Sequence, residues 1–433
     1  MFVSDCLGIN AKGHLTIDEK DTLELAGEYG TPLYVMSETQ IRENCRKFRR
    51  SFEENYGGNG MALYASKAFC CKAVCRIAQE EGMGLDVVSA GELYTAESIG
   101  FPAERIYFHG NNKTPEELVE ALRYGVGTIV VDNITELEVL DQIAASMGKT
   151  AGIMFRVKPG VDAHTHDFIR TGQIDSKFGV ALETGEAMEA VCRAAELSHV
   201  RLTGLHCHIG SQIFDIDPFE EAARVMLRFL AEIRERTGLT LSKLNLGGGF
   251  GIKYIPENDP AGLETYMGRV STVVHGECGR LGLPIPFILI EPGRSIVGDA
   301  GITLYRVGAV KTIPGVRTYL SVDGGMTDNP RYALYQARYE ALVAARAGEA
   351  KTMEVTLAGR CCESGDLIGE NMLLQPAVPG DVVAVLSTGA YNYSMASNYN
   401  RVPRPPVVLV KGTESRVAVR RETLEDMISH DEL

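Results

Sequence analysis

Short apolar runs alternate with amphipathic stretches from about residue 60 to 295, and this alternation sets the first expectation for the fold. Eight runs have strand length and strand composition: Met61–Ala65, Leu85–Ser89, Arg105–His109, Thr128–Val131, Gly152–Val157, Leu202–His208, Lys243–Leu246 and Phe287–Glu291. Helical signals lie between most of them. Thr114-Pro115-Glu116-Glu117 offers a capping threonine, a proline at the first helical position and a glutamate three residues after the cap, which is capping-box spacing. Asn133 and Glu136 repeat it, and Leu137, Leu140, Ala144 and Met147 continue as a 3.6-residue stripe that stops at Gly148. Phe219, Ala222, Ala223, Met226, Leu230 and Ile233 form another stripe. This α/β alternation through eight units predicts a parallel (β/α)8 TIM barrel; a doubly wound open sheet is the alternative, and the count favours the barrel.

Beyond Asp299 the pattern changes. Ile302–Val310, Thr318–Val322, Met353–Leu357, Val382–Leu386 and Val407–Val410 read as strands between Gly/Pro turns, and helical pattern is sparse apart from Ala333–Ala347. This predicts a second, mostly β domain of sandwich or barrel-like form. A turn at Gly30-Thr31-Pro32 precedes a short run at Leu33–Met36. The expected division is 37–302 for the barrel and 1–36 plus 303–433 for the β-rich domain.

Charge and cysteine usage narrow the setting. A net charge of −14 argues against nucleic acid or an anionic membrane as partner, since both need a basic surface. Apolar stretches such as Pro286–Ile290 fall far short of the ~18 residues a membrane span needs. Ten cysteines include the adjacent pairs Cys70–Cys71 and Cys361–Cys362, which have neither bridge nor CxxC spacing, so a reducing, cytoplasmic compartment is expected. MFVSDCLGIN shows no signal-peptide pattern. The terminal His430-Asp431-Glu432-Leu433 spells an ER-retention address, read here as coincidence.

Candidate chemistry gathers at predicted strand ends, the active face of such a barrel. Lys67 follows the first strand in Tyr64-Ala65-Ser66-Lys67-Ala68, where a lysine can form an imine with a carbonyl cofactor. Asn245-Leu246-Gly247-Gly248-Gly249-Phe250-Gly251 follows the seventh strand and Glu291-Pro292-Gly293-Arg294 the eighth, where barrels commonly bind phosphate through backbone N–H groups. His206-Cys207-His208 ends the sixth strand, ahead of Ile209-Gly210-Ser211. A second pair, His164 and His166, invites a metal reading, but no carboxylate or thiol completes an obvious ligand set, so no metal is expected. An imidazole stacked on a flat ligand, with Ser211 donating to a phosphate, fits better. Glu291 can face a protonated pyridine nitrogen or pair with an arginine such as Arg156.

Taken together, YASKA (64–68), GLDVVSAGEL (84–93), FRVKPG (155–160), TGQIDSKFGV (171–180), GLHCHIGSQ (204–212), NLGGGFG (245–251), EPGRSIV (291–297), CESGD (362–366) and GAYNYSMASNYN (389–400) span nearly the whole chain. In this order they resemble the fold-type III, alanine-racemase-like, pyridoxal-phosphate-dependent decarboxylases. The resemblance implies that Lys67 carries pyridoxal 5'-phosphate and that His208 stacks on its ring. It implies cofactor contacts from Asp86, Ser211, Gly248, Gly249, Glu291, Pro292, Gly293, Arg294 and Tyr391, with Glu291 at the ring nitrogen. Arg294, Arg331, Tyr335 and Tyr391 are implied at the substrate, Cys362 as a proton donor and Glu363 at a distal amino group. It further implies a homodimer with shared active sites, completed by the β-rich domain. One departure is visible: Arg360 and Cys361 stand where a Gly-Pro is expected before the triplet, while Cys362 and Glu363 align.

The implied reaction is decarboxylation of meso-2,6-diaminopimelate to L-lysine, the last step of lysine biosynthesis. A converging Arg294–Arg331 clamp favours a substrate tail ending in a carboxylate, because removing one partner of a buried charge pair costs ~3–5 kcal/mol. The alternatives are a decarboxylase for ornithine, arginine or carboxynorspermidine, a racemase on the same barrel, or a non-catalytic binding relative. The last is expected to lack Lys67 or Cys362, and both are present.

Overall fold

The computed structural model of the protein describes residues 2–162 and 175–433. It divides into two compact units, Cys45–Gly251 with Pro260–Gly293, and Met1–Asn44 with Ile252–Asp259 and Arg294–Leu433.

The first unit is a closed parallel barrel. Its strands are β1 (Gly60–Ala65), β2 (Gly84–Val87), β3 (Ile106–Phe108), β4 (Thr128–Val131), β5 (Ala151–Lys158), β6 (Val200–His206), β7 (Lys243–Asn245) and β8 (Phe287–Ile290). Each pairs with the next, and β8 pairs back onto β1 through Ile288 opposite Gly60. All eight lie within two residues of their predicted starts. The reason they were readable is burial on both faces, which makes parallel strands near-continuous apolar runs; every residue of β4 is buried. Leu63, Tyr107, Val130, Met154 and Leu289 meet inside the ring as a packed cluster.

Helices take the intervening stretches for local reasons. Thr114 caps Pro115–Tyr124 in a complete capping box with Glu117, and Asn133 Oδ1 accepts from Glu136 N–H at 2.9 Å at the head of Ile134–Ser146. Such caps contribute about 1 kcal/mol each. Asp217–Thr237 buries the predicted stripe, Phe219 through Ile233. No helix among the described residues is long and apolar enough to cross a membrane.

The second unit is mostly β. Its main sheet runs Leu367–Leu374, Met353–Ala358, Arg317–Val322, Gly301–Ile313, Leu33–Ser37, Val407–Lys411, Glu414–Val419, with Val382–Val385 joining Gly301–Ile313 to Ala341–Val343. Leu33–Ser37 pairs antiparallel with Gly301–Leu304 and parallel with Val407–Val410. Alternation along Gly301–Ile313 sends Ile302 and Leu304 into one apolar core and Tyr305 and Val307 into another. The helical expectation for Ala333–Ala347 is corrected here: an α-helix covers only Arg331–Tyr335, Ala341–Val343 is a strand paired with Val382–Val385, and Ala344–Arg346 is a single 3-10 turn. The excursion Ile252–Asp259 leaves the barrel's sequence between β7 and β8 to join this unit.

Candidate active site

The C-terminal ends of the barrel strands bring a buried carboxylate and its partners together. Glu291, directly after β8, is buried. Its Oε1 accepts from Asn245 Nδ2 at the end of β7 at 2.7 Å, and its Oε2 lies 3.2 Å from His206 Nε2 at the end of β6. His109 Nε2, just past β3, approaches Oε1 at 2.9 Å, close but off-line for a full hydrogen bond. Arg156, the partner considered from sequence, instead stacks on Phe178 with its guanidinium carbon 4.1 Å from the ring centre.

Charge in this cluster is sorted by environment. Burial alone would raise the Glu291 carboxyl, but His109 and His206 outweigh it and hold the group well below the usual carboxylate range. Burial pushes Asp86 on β2 upward, against the nearby His109. For His109, burial is overcome by Asp86 and Glu291, and its affinity for a proton rises. His206 is pushed down to about 4, chiefly by burial. The result is an anionic Glu291, a cationic His109 and a neutral His206.

The glycine loop sits against the same strand ends. Gly247 has φ +71°, and a Cβ there would stand 2.4 Å from the Cys207 carbonyl oxygen. A Cβ on Gly248 would stand 2.1 Å from that of Glu291; only glycine permits this approach. His208 Nδ1 accepts from Gly248 N–H at 3.2 Å, so its ring is neutral; burial and the Lys67 charge hold it well below the usual imidazole range. Lys67 lies in a one-turn helix, Ser66–Ala68, immediately after β1, with its side chain exposed. Ala65 N–H donates to the Pro292 carbonyl at 3.0 Å, and Gly293 packs against Ala65. Ser211 is half-buried in the loop after β6.

A flat ring with a phosphate tail fits these residues. Three neighbours approach Glu291, whose carboxylate has about four lone-pair sites, leaving one for a ring N–H. Asp86 Oδ1 and His206 Nδ1 are buried without a hydrogen-bond partner among the described residues. Among those residues His109, His206 and Glu291 also offer metal-type ligand atoms within 4.8 Å of one another. Their contacts are those of a hydrogen-bonded anion, not of a cation cage. His164 and His166 lie outside the described residues.

In the β-rich unit, two buried arginines share a nest of phenols. Arg294 donates to Tyr254 Oη at 2.5 Å, and Arg331 donates to Tyr339 Oη at 2.7 Å. Tyr391, in left-handed backbone at φ +63°, places its ring 4.7 Å from the Arg294 guanidinium carbon and 6.0 Å from that of Arg331. Burial opposes ionisation of Tyr254, yet the two guanidiniums bring its hydroxyl below the usual phenol range. Among the described residues, no carboxylate forms an ion pair with Arg331, whose partners are Tyr339 and the rings of Tyr254, Tyr339 and Tyr391. Tyr335 is half-buried on the same turn as Arg331 and stands outside this hydrogen-bonded group.

Cys362 and Glu363 are not drawn into the nest. They lie exposed on the loop before Leu367–Leu374, where Cys362 N–H donates to Asn400 Oδ1 at 2.8 Å and Tyr399 Oη donates to Glu363 at 3.4 Å. None of the ten cysteines is joined in a disulfide. The sequence reading missed His109, Asn245, Tyr254 and Tyr339, and gave His206 no role. The signal for Asn245 was its place at the head of the glycine loop; Tyr254 and Tyr339 carried none.

A barrel with a lysine after β1, a glycine loop after β7 and a buried anion after β8 is the architecture of a pyridoxal-phosphate enzyme. The chain belongs to the pyridoxal-dependent decarboxylases, whose pyridoxal-binding domain matches residues 38–298. Within that family its relatives include diaminopimelate decarboxylases. The enzyme of that name from Bacillus subtilis (strain 168) is 50% identical over 431 residues, covering 100% of this chain and 98% of its own. The one from Staphylococcus aureus (strain COL) is 46% identical, covering 98% of each. A crystal structure of the M. jannaschii diaminopimelate decarboxylase in co-complex with L-lysine superposes with a TM-score of 0.91 at 36% identity, over 100% of this chain and 99% of that one. The cofactor is pyridoxal phosphate.

Proposed function

We propose that the chain decarboxylates meso-2,6-diaminopimelate to L-lysine. The observation that carries this reading is Arg331, a buried cation whose partners among the described residues are tyrosines, with no carboxylate paired to it. Such a site calls for an anion, and a substrate with a second carboxylate supplies it. Ornithine and arginine bring a cation to the same place and are disfavoured.

When bound, the cofactor supplies an electron sink, a protonated pyridine ring that accepts the electron pair left as CO2 departs. The chain's residues do the rest. Lys67 Nζ tethers the cofactor. Glu291, kept ionised, would accept a hydrogen bond from the protonated ring nitrogen, and Asp86 stands beside it. His208 offers a neutral flat face to the ring. Backbone N–H groups of Gly248, Gly249 and the Pro292–Gly293–Arg294 segment, with Ser211 and Tyr391, hold the phosphate. Arg294, Arg331 and Tyr335 grip the distal carboxylate, and Glu363 meets the distal ammonium. Cys362 Sγ delivers the proton that replaces the lost carboxylate. The working form is a cytoplasmic homodimer, in which Cys362 and Glu363, exposed on their own chain, serve the second copy's site.

The test is to incubate the protein and pyridoxal phosphate with meso-diaminopimelate, ornithine, arginine or carboxynorspermidine, measuring CO2 and amine product. Lysine from diaminopimelate alone, with a borohydride-fixed cofactor on Lys67, is expected. CO2 from ornithine and none from diaminopimelate overturns the substrate, and an adduct on another lysine overturns the site.

A further inference from the structure

One buried group in the barrel is unused by the mechanism above. His109 follows β3 and is 4% exposed. Its Nε2 stands between two carboxylates, one on β2 and one just after β8, 2.9 Å from Glu291 Oε1 and 3.8 Å from Asp86 Oδ1. Its ring meets that of His206 edge-on, with centres 4.8 Å apart. Other charged or titratable groups facing this cluster are Arg156 from β5, Lys67 after β1, Glu92 beside Asp86, and Tyr107, Cys207 and His208 around Glu291.

We propose that His109 is a positioning residue for the cofactor's ring nitrogen: its imidazolium holds Asp86 and Glu291 together and keeps Glu291 an anion with one lone pair open. This rests on the cofactor reading given above. The argument is electrostatic. Two buried carboxylates near one another cannot both ionise without a counter-charge, and one of them takes up a proton. A protonated Glu291 presents an O–H where the ring N–H needs an acceptor. His109 supplies the counter-charge from the end of β3 and spends no lone pair that the ring requires. His206, neutral, completes the orientation without competing for the charge.

The test compares pyridoxal phosphate with its 1-deaza analogue, in which a carbon replaces the ring nitrogen, binding to the apoenzyme by fluorescence quenching. Wild-type protein is expected to prefer the natural cofactor, because a hydrogen bond to a charged group is worth roughly 10–100-fold in affinity. In His109→Gln and His109→Phe that preference should shrink to near unity while affinity for the deaza analogue is kept. A retained preference overturns the proposal. An equal loss for both ligands also overturns it, since it marks a merely structural role. The double variant His109→Gln/Asp86→Asn, which removes the second carboxylate together with its counter-charge, covers the case in which the single His109 variants do not fold: a preference restored towards wild type supports the proposal, and one still near unity counts against it. A wild-type protein that binds neither ligand sinks the cofactor reading itself, a result distinct from either of the others.

Discussion

The buried pair Lys113–Glu136 gives a quantitative test of how the loop carrying His109 is held. Lys113 Nζ lies 2.7 Å from Glu136 Oε1 and donates to the carbonyls of Gly110 and Val130 at 2.7 and 2.8 Å. The two side chains are 1% and 5% exposed. Burial pulls the lysine down and the glutamate up, each against its partner's charge, so desolvation outruns attraction in this pair. Lys113→Met strands a buried carboxylate, which costs about 3–5 kcal/mol, or roughly 10²–10⁴-fold in the folding equilibrium. The double variant Lys113→Met/Glu136→Leu removes both charges and should recover most of that loss; the two carbonyls left without their donor keep about 1–3 kcal/mol of it. In the single variant Glu136 prefers its proton in the folded state. Its ionisation therefore costs more stability as pH rises, and the deficit should be larger at pH 8 than at pH 5. Urea unfolding at both pH values reads all three quantities. A double variant no more stable than Lys113→Met at pH 8 refutes the reasoning.

Two further outcomes follow from the β-rich unit. Arg331→Ala should raise KM for diaminopimelate by roughly 10²–10³-fold while leaving pyridoxal phosphate affinity near wild type; an unchanged KM removes the clamp. Asp328, fully buried and bonded to Tyr305 Oη and Gly325 N–H, is pushed up to about 7 by burial. The folded state thus keeps a proton that the unfolded chain releases above ~3.9, so this residue's contribution falls as pH climbs from about 4 to 7. Asp328→Asn should flatten that part of the stability–pH curve, measured by thermal unfolding, and an identical slope in the variant contradicts the assignment.

Legibility in the sequence followed burial. The barrel strands announced themselves because both faces are covered, and the capping box at Thr114 and the cap at Asn133 are local chemistry. Ala333–Ala347 misled because its alanine-rich composition favours helix, whereas Ala341–Val343 gains more by pairing with Val382–Val385; tertiary pairing overrides propensity. Leu367–Leu374 was passed over since IGENM lacks alternation, its Glu370 and Asn371 both being exposed. Within the site, Lys67, Glu291 and the glycines stood out by position at strand ends. Tyr254 did not, because the Ile252–Asp259 excursion sets it beside Arg294, 40 residues away, and no periodicity records a contact of that kind.

The placement of Leu33–Ser37 between Gly301–Leu304 and Val407–Val410 has a bearing on biosynthesis. At about 5–20 residues per second on the ribosome, this Leu-Tyr-Val-Met segment waits roughly ten to fifty seconds for its first neighbour, and longer for its second. The barrel's strands all emerge within that interval. Nascent chains therefore carry an early-made apolar strand whose two edges stay unpaired until its downstream partners emerge, the kind of open edge along which truncated translation products would pair with one another.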